Sequence, residues 1–252
     1  MISYQRKFIR IAEYWGAEPA GNPNVDILRF FHQPEPLSGM LNREFFTIHV
    51  DLRPDQDELL ARMKRNTRYE IKRAGLADNL SCEIISEIKS ETLSEFCDFY
   101  DAFAERKSQA KLNRSWLARV AENGVLNLSR VRNNHREVLV WHAYHRTAAR
   151  ATLLYSASSL LATYPAAVRS SIGRANRLLH WRDMLSFKNQ GIATYDFGGW
   201  YEKKEDHARL SINKFKESFG GEIVKTYICE RPLTLKGKLF LTTRRLVLGN
   251  AI

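Results

Sequence analysis

Between Val125 and Cys229 the apolar pattern changes period in a set order, and that order constrains the fold more than any other feature of the chain. Leu126 to Val131, Val138 to His145 and Ala151 to Ala157 read as strands joined by short polar links, the pattern of antiparallel hairpins. A mostly apolar helix from about Ser171 to Asn189 follows, stopped at Gly191. Then come a strand from Ile192 to Phe197, a helix from about Leu210 to Phe219, and a strand from Glu222 to Cys229. Three strands, helix, strand, helix, strand predicts an α/β sheet covered by helices.

Upstream, Glu44 to Leu52 alternates as a strand, with Phe46, Ile48 and Val50 on one face. Asp55 and Glu58 form a capping-box pattern, and Leu60, Met63, Thr67, Ile71 and Ala74 line one stripe before Gly75, so a single helix is predicted from Asp55 to Ala74. Its other face carries Arg62, Arg65, Arg68, Lys72 and Arg73, either a solvated face or a phosphate-binding one. A brief strand is expected at Cys82 to Ser86. Two helices follow, one on Leu93, Phe96, Tyr100 and Phe103, the other on Trp116, Leu117 and Val120. Residues 1 to 43, with Pro19, Pro23, Pro34 and Pro36, offer one peripheral strand around Ile27 to Phe31 between irregular loops. Ala151 to Val168 is uncharged but rich in Ser and Thr, which suits a buried strand and loop rather than a membrane span. From Pro232 to Ile252 Lys and Arg alternate with Leu, Phe and Val, a pattern that either lies on a membrane surface or packs back on the domain.

The chain has 252 residues, 44% of them hydrophobic, enough to bury a sizeable core, and a formal net charge of +11. That excess implies an anionic partner: tRNA, a phosphorylated donor, an acidic acyl carrier protein or a membrane face. Cys82, Cys97 and Cys229 are odd in number and form no CxxC pair, which argues against a disulfide framework or a zinc site. Met1 to Glu13 lacks the apolar core of a signal peptide, so a cytoplasmic location is expected, either free or at the inner face of the membrane. His142 and His145 fall on opposite faces of a strand, and no metal is expected. His180 lies inside the apolar helix, as a satisfied core histidine does. None of these has a Ser or Cys partner in a nucleophile motif, against a triad hydrolase.

Two separated motifs stand out. The first is Asn66-Thr67-Arg68-Tyr69-Glu70-Ile71-Lys72-Arg73-Ala74. The second runs from Ile172-Gly173-Arg174-Ala175-Asn176 through Leu178-Leu179-His180-Trp181, Phe187-Lys188 and Gly191 into Tyr195-Asp196-Phe197-Gly198-Gly199-Trp200, then Asn213-Lys214-Phe215-Lys216 and Phe219-Gly220-Gly221. In this order they resemble the FemAB-like acyltransferases of the GNAT superfamily, over about Glu44 to Arg231. The resemblance implies an α/β fold with a GNAT-type mixed, mostly antiparallel sheet flanked by helices, and an N-terminal helix and strand extension. The expected organisation is an extension over 1–43, an acyltransferase domain over 44–231 and a basic apolar tail over 232–252.

The implied activity is acyl transfer from a thioester, acyl-CoA (acetyl-CoA as the first donor) or an acyl carrier, to an amine or hydroxyl on a small molecule, glycan or peptide. Cell-envelope or surface-polysaccharide metabolism is the implied setting, with no tightly bound cofactor. Family members that build peptidoglycan bridges instead use aminoacyl-tRNA, and they are larger than this chain. A non-catalytic GNAT-like module that binds nucleic acid or an anionic surface is the remaining alternative.

By the same resemblance Arg169, Ser170, Ser171, Gly173, Arg174 and Ala175 occupy the place where the donor pyrophosphate meets a helix N-terminus. Gly173 and Ala175 equally suit close helix packing. Lys216 matches a position that steadies donor or acceptor anions or a developing oxyanion. Asp196 either orients the acceptor and takes its proton or caps a turn. Arg65, Arg68, Lys72, Tyr195, Gly198, Gly199, Trp200, His207 and Phe215 complete the predicted substrate-binding set.

Overall fold

In the computed structural model, residues 1–6, 8–16 and 23–248 are described. In chain order the elements are β1 (Ile2–Arg6), β2 (Ile9–Tyr14), β3 (Ile27–Gln33), β4 (Leu41–Asp51), α1 (Gln56–Arg62), α2 (Arg65–Ala77), β5 (Ser81–Ile85), α3 (Ser90–Arg106), α4 (Arg114–Glu122), β6 (Leu126–Arg132), β7 (Val138–Arg146), β8 (Arg150–Ser158), α5 (Ala166–Asn189), β9 (Thr194–Gly199), α6 (His207–Glu217), β10 (Glu222–Pro232) and α7 (Leu235–Leu248). The chain divides into two units, one of Met1–Phe46 with Lys225 onward, the other of Thr47–Val224. The loop expected around Pro19 and the last four residues of the tail lie outside the described residues.

In the first unit β1 pairs antiparallel with β2, β2 parallel with β3, and β3 antiparallel with β10. Neither β1 nor β2 follows from the sequence pattern, because Glu13 breaks the apolar alternation of β2. Glu13 is nevertheless buried, held by the Arg29 guanidinium at 2.8 Å. The basic tail forms a helix whose Leu241 packs on Ile9, Ile11 and Ile27. Leu235, Leu239 and Leu246 on the same helix stay exposed.

In the second unit the strand order is β4-β9-β8-β7-β6-β5. The β6–β7–β8 hairpins pair antiparallel, as the alternation predicts. β8 and β9 run parallel for three pairs, ending at Thr152 opposite Asp196. Beyond that point the ladder stops, although both strands continue.

α5 buries apolar residues on two sides, although its first turn and Arg182 are exposed. Ile172, Ala175 and Leu179 meet Val131 and Val140, while Leu178, Trp181, Met184 and Phe187 enter the larger core with Ile48, Val50 and Phe197. Each of those large side chains contributes about 2 kcal/mol by burial.

Several helix boundaries differ from the pattern, α6 for one running from His207 to Glu217. α5 starts at Ala166, five residues early, with Pro165 as its N-cap. The Pro-Ala-Ala sequence is itself a helix-start signal that the uncharged run conceals. The helix predicted from Asp55 to Ala74 is two helices, since Met63 and Lys64 are extended, with ψ of 151° and 144°. Gly75 does not end α2, which continues to Ala77. The Asp55 cap forms, its carboxylate accepting the Glu58 amide at 2.8 Å.

The break accommodates the turn after α6. Lys64 N–H donates to Ser218 O at 2.9 Å, and the Thr67 hydroxyl meets the Ser218 hydroxyl at 2.8 Å. Gly220, at φ +80°, sits where a Cβ would lie 2.5 Å from Arg62 O. Only glycine fits that approach in that conformation.

Candidate active site

Asp196, near the end of β9, is wholly buried and surrounded by polar groups. The Thr47 hydroxyl and the Gly198 amide, the latter at 2.8 Å, donate to its Oδ1. Oδ2 faces Thr152 Oγ1 at 3.4 Å, His49 Nε2 at 3.3 Å and an Arg150 Nη1 at 4.0 Å. His49 is the register partner of Asp196 across the β4–β9 pair, which puts both side chains on one face. Thr47 and His49 alternate with the apolar residues of β4, a pattern that reads as a solvent face. Thr47 is in fact fully buried.

Gly198 permits the strand to end here. Its φ is +69°, and a Cβ would stand 2.8 Å from Leu153 O. The next carbonyl, Gly199 O, accepts from Lys216 Nζ at 2.5 Å. Lys216 lies in the last turn of α6 and is half-buried. Burial pulls its ammonium down to about 8, with the Asp196 carboxylate acting against that fall.

Arg177 joins this corner to α5. Its guanidinium lies 5.0 Å from the centre of the Phe215 ring, and Nη1 donates to Gly173 O at 3.2 Å. Burial holds the Arg177 pKa below its ordinary value. Its Nε is buried and makes no hydrogen bond with any described residue. Gly173 and the Phe215-Lys216 pair are therefore linked through one arginine that the sequence motifs do not single out.

Behind the corner runs a buried polar chain. His142 bonds Asn176 Oδ1 and Asp183 Oδ2, both at 2.8 Å, and the Tyr144 hydroxyl donates to Asp183 Oδ2 at 2.5 Å. Tyr144 and Tyr195 hydroxyls meet at 2.8 Å, and Tyr195 reaches His180 Nδ1 at 2.6 Å. The His142 and His180 rings lie 4.1 Å apart. Burial, with His142 and Lys216 nearby, drives the His180 pKa well down and keeps the ring neutral. Burial and Asp183 drive both tyrosines well up. Among the described residues His142, His180 and Asp183 are the group whose ligand atoms could surround an ion. Both His142 nitrogens, His180 Nδ1 and Asp183 Oδ2 already have hydrogen-bond partners.

Other predicted site residues fall elsewhere. Ser170 to Ala175 lie inside α5, so their amides serve the helix ladder; the free amides belong to Ala166, Ala167 and Val168. Arg174 is buried in a bidentate pair with Asp78, at 2.7 and 3.0 Å, and Ala175 packs against β6 and β7. Neither is free to hold a donor phosphate. Tyr195 is fully buried and engaged in the polar chain, away from any substrate surface. Arg68 donates to Ala61 O and Met63 O, capping α1. Arg65, Lys72, Arg169 and His207 are exposed, and Trp200 Nε1 donates to Glu217 at 2.9 Å.

No family model and no curated protein matches the sequence. Solved structures match its fold. FemX superposes with a TM-score of 0.61 at 16% identity, over 78% of this chain and 63% of FemX. The C-terminal domain of an assigned lysylphosphatidylglycerol synthetase from Agrobacterium fabrum gives 0.55 at 17% identity, over 86% and 72%. L-PGS from Bacillus licheniformis gives 0.53 at 14%, with the same coverage. The chain thus spans under two thirds of FemX. These likenesses bear out the expected fold class, a GNAT-type α/β fold with a mixed, mostly antiparallel sheet. Among the described residues no helix is long and apolar enough to cross a membrane.

Proposed function

We propose that the chain is an acyl-group transferase of the FemAB-like kind, moving an acyl or aminoacyl group from an activated ester or thioester to an amine or hydroxyl in cell-envelope metabolism. The observation that carries this reading is Lys216, whose pKa is lowered to about 8, on Gly199 O beside buried Asp196, where the parallel β8–β9 ladder ends. The acceptor nucleophile attacks the donor carbonyl, a tetrahedral oxyanion forms, and the bond to sulfur or oxygen breaks as the carbonyl reforms. The Lys216 ammonium offsets charge that develops only in that transition state. His49, whose Nε2 lies 3.3 Å from Asp196 Oδ2, is placed to take the nucleophile's proton. The half-buried Arg177 guanidinium, beside the Phe215 ring, holds donor anions.

Between donors, an aminoacyl ester is favoured over coenzyme A. Arg174 and the amides of Ser170 to Ala175 are engaged internally, which removes most of the pyrophosphate loop. The net charge of +11 and the fold likeness to a protein named for lysylphosphatidylglycerol synthesis support the same choice. Thermal-shift titration with acetyl-CoA, a long-chain acyl-CoA and a charged-tRNA mixture tests it. Stabilisation by charged tRNA exceeding that by uncharged tRNA, and weakened in Arg177→Gln, is expected. Equal stabilisation by charged and uncharged tRNA, with none by either thioester, would overturn the transferase reading in favour of simple polyanion binding.

A further inference from the structure

The first unit holds a cavity of about 780 Å³ whose wall, among the described residues, carries Arg6, Arg29, Arg43, Arg244, Arg245 and a single carboxylate, Glu230. Arg29 is committed to Glu230 at 2.7 Å and to Glu13 at 2.8 Å. Arg244 grips Glu230 with both terminal nitrogens, one of them at 3.0 Å. Two arginines thus face two carboxylates and cancel. Arg6, Arg43 and Arg245 make no side-chain hydrogen bond or ion pair with any described residue, so five positive charges less two negative ones leave +3 at the cavity. Burial lowers the Arg43 pKa, and repulsion from Arg244 and Arg29 adds to it against Glu230. The cavity therefore stores like charge that an anion would relieve.

The shape narrows the anion. Guanidinium forks take phosphate oxygens two at a time, and a charge of +3 exceeds what one carboxylate offsets. A cavity of about 780 Å³ has room for an organic group besides a phosphate. Phe31, Met40, Leu41, Ile228 and Leu241 supply an apolar wall for it.

We propose that this cavity binds an organic phosphate or diphosphate, its phosphate oxygens on Arg6, Arg43 and Arg245 and its apolar portion against Phe31 and the exposed Leu41. The site is built wholly from the first unit and does not depend on the transferase reading. Calorimetric titration of the full chain at low salt tests it, with inorganic pyrophosphate, uridine diphosphate and dihexanoyl phosphatidic acid as probes. At least one organic phosphate is expected to bind ten-fold or more tightly than pyrophosphate. The nucleotide winning identifies a planar group on Phe31, the lipid winning an acyl chain. The R43Q/R245Q variant is expected to lose ten-fold or more, while K89Q/K107Q, with the same charge change at exposed lysines, binds as wild type. Should the double variant not fold, R245Q alone is judged by the same criterion. Pyrophosphate binding as tightly as both organic phosphates, no binding, or variants that bind unchanged would overturn the assignment.

Discussion

His180 Nδ1 lies 2.6 Å from the Tyr195 hydroxyl, with both side chains buried and His180 held neutral. Its folded pKa lies well below the ordinary 6.5, so the unfolded chain binds a proton more readily than the folded one. The stability this gives is complete above about pH 6.5 and is lost as pH falls further. Urea unfolding of wild type is expected to weaken between pH 7 and pH 5, and that of His180→Phe to weaken less. Identical slopes would show that the ring charges freely in the fold.

Lys216 carries a linkage of the same sign at higher pH. Its folded pKa of about 8 lies below the ordinary 10.5, so the cost of burying the ammonium is present below pH 8 and fades as pH rises towards 10.5. If the ammonium is the working form, the transfer rate falls through pH 8 while the Lys216 contribution to stability rises. Stability curves of wild type and Lys216→Met across pH 7 to 10.5 are expected to shift relative to one another, wild type gaining with pH. A constant difference would place the Lys216 pKa at its ordinary value.

The hairpins from Leu126 to Ser158 and the strand at Thr194 are legible in the sequence because each has one regular face. What is hidden depends on partners distant along the chain. Met63 breaks a continuous apolar stripe only because the Ser218–Gly220 turn packs against Arg62 and Lys64. Glu13 hides β2 because its counter-charge is Arg29, on another strand. At the site, Asp196 and Lys216 are visible through the motif around them, whereas His49 is visible only once register sets it beside Asp196. Arg177, one more base in a basic helix, gains meaning from Phe215.

The Thr47 hydroxyl supports Asp196, and Thr47→Val keeps the shape while removing the donor. A hydrogen bond to a buried carboxylate makes that loss about 2 kcal/mol. Chemical denaturation checks the figure. A change within experimental error would mean that Asp196 is solvated by other means.

Gly220→Ala places a methyl group where Arg62 O already stands, in a conformation that alanine resists. Destabilisation of roughly 3 kcal/mol is expected, with the α1–α2 break as its seat. Gly75→Ala, in a helix with open space at that position, is expected to stabilise by about 0.5 kcal/mol. Thermal melts of the two variants should move in opposite directions, and movement of both downward would contradict the placement of Gly75.

The most direct measurement follows a labelled acyl or aminoacyl group from acetyl-CoA, a long-chain acyl-CoA or charged tRNA into amine and hydroxyl acceptors of envelope lipids and muropeptides. Wild type is expected to transfer label from at least one donor, and Lys216→Met, folded as judged by a cooperative melt, to transfer at least about 100-fold less. Equal transfer by the two proteins, or none by folded wild type with any donor, would contradict the assignment of Lys216 and its neighbours as an acyl-transfer site.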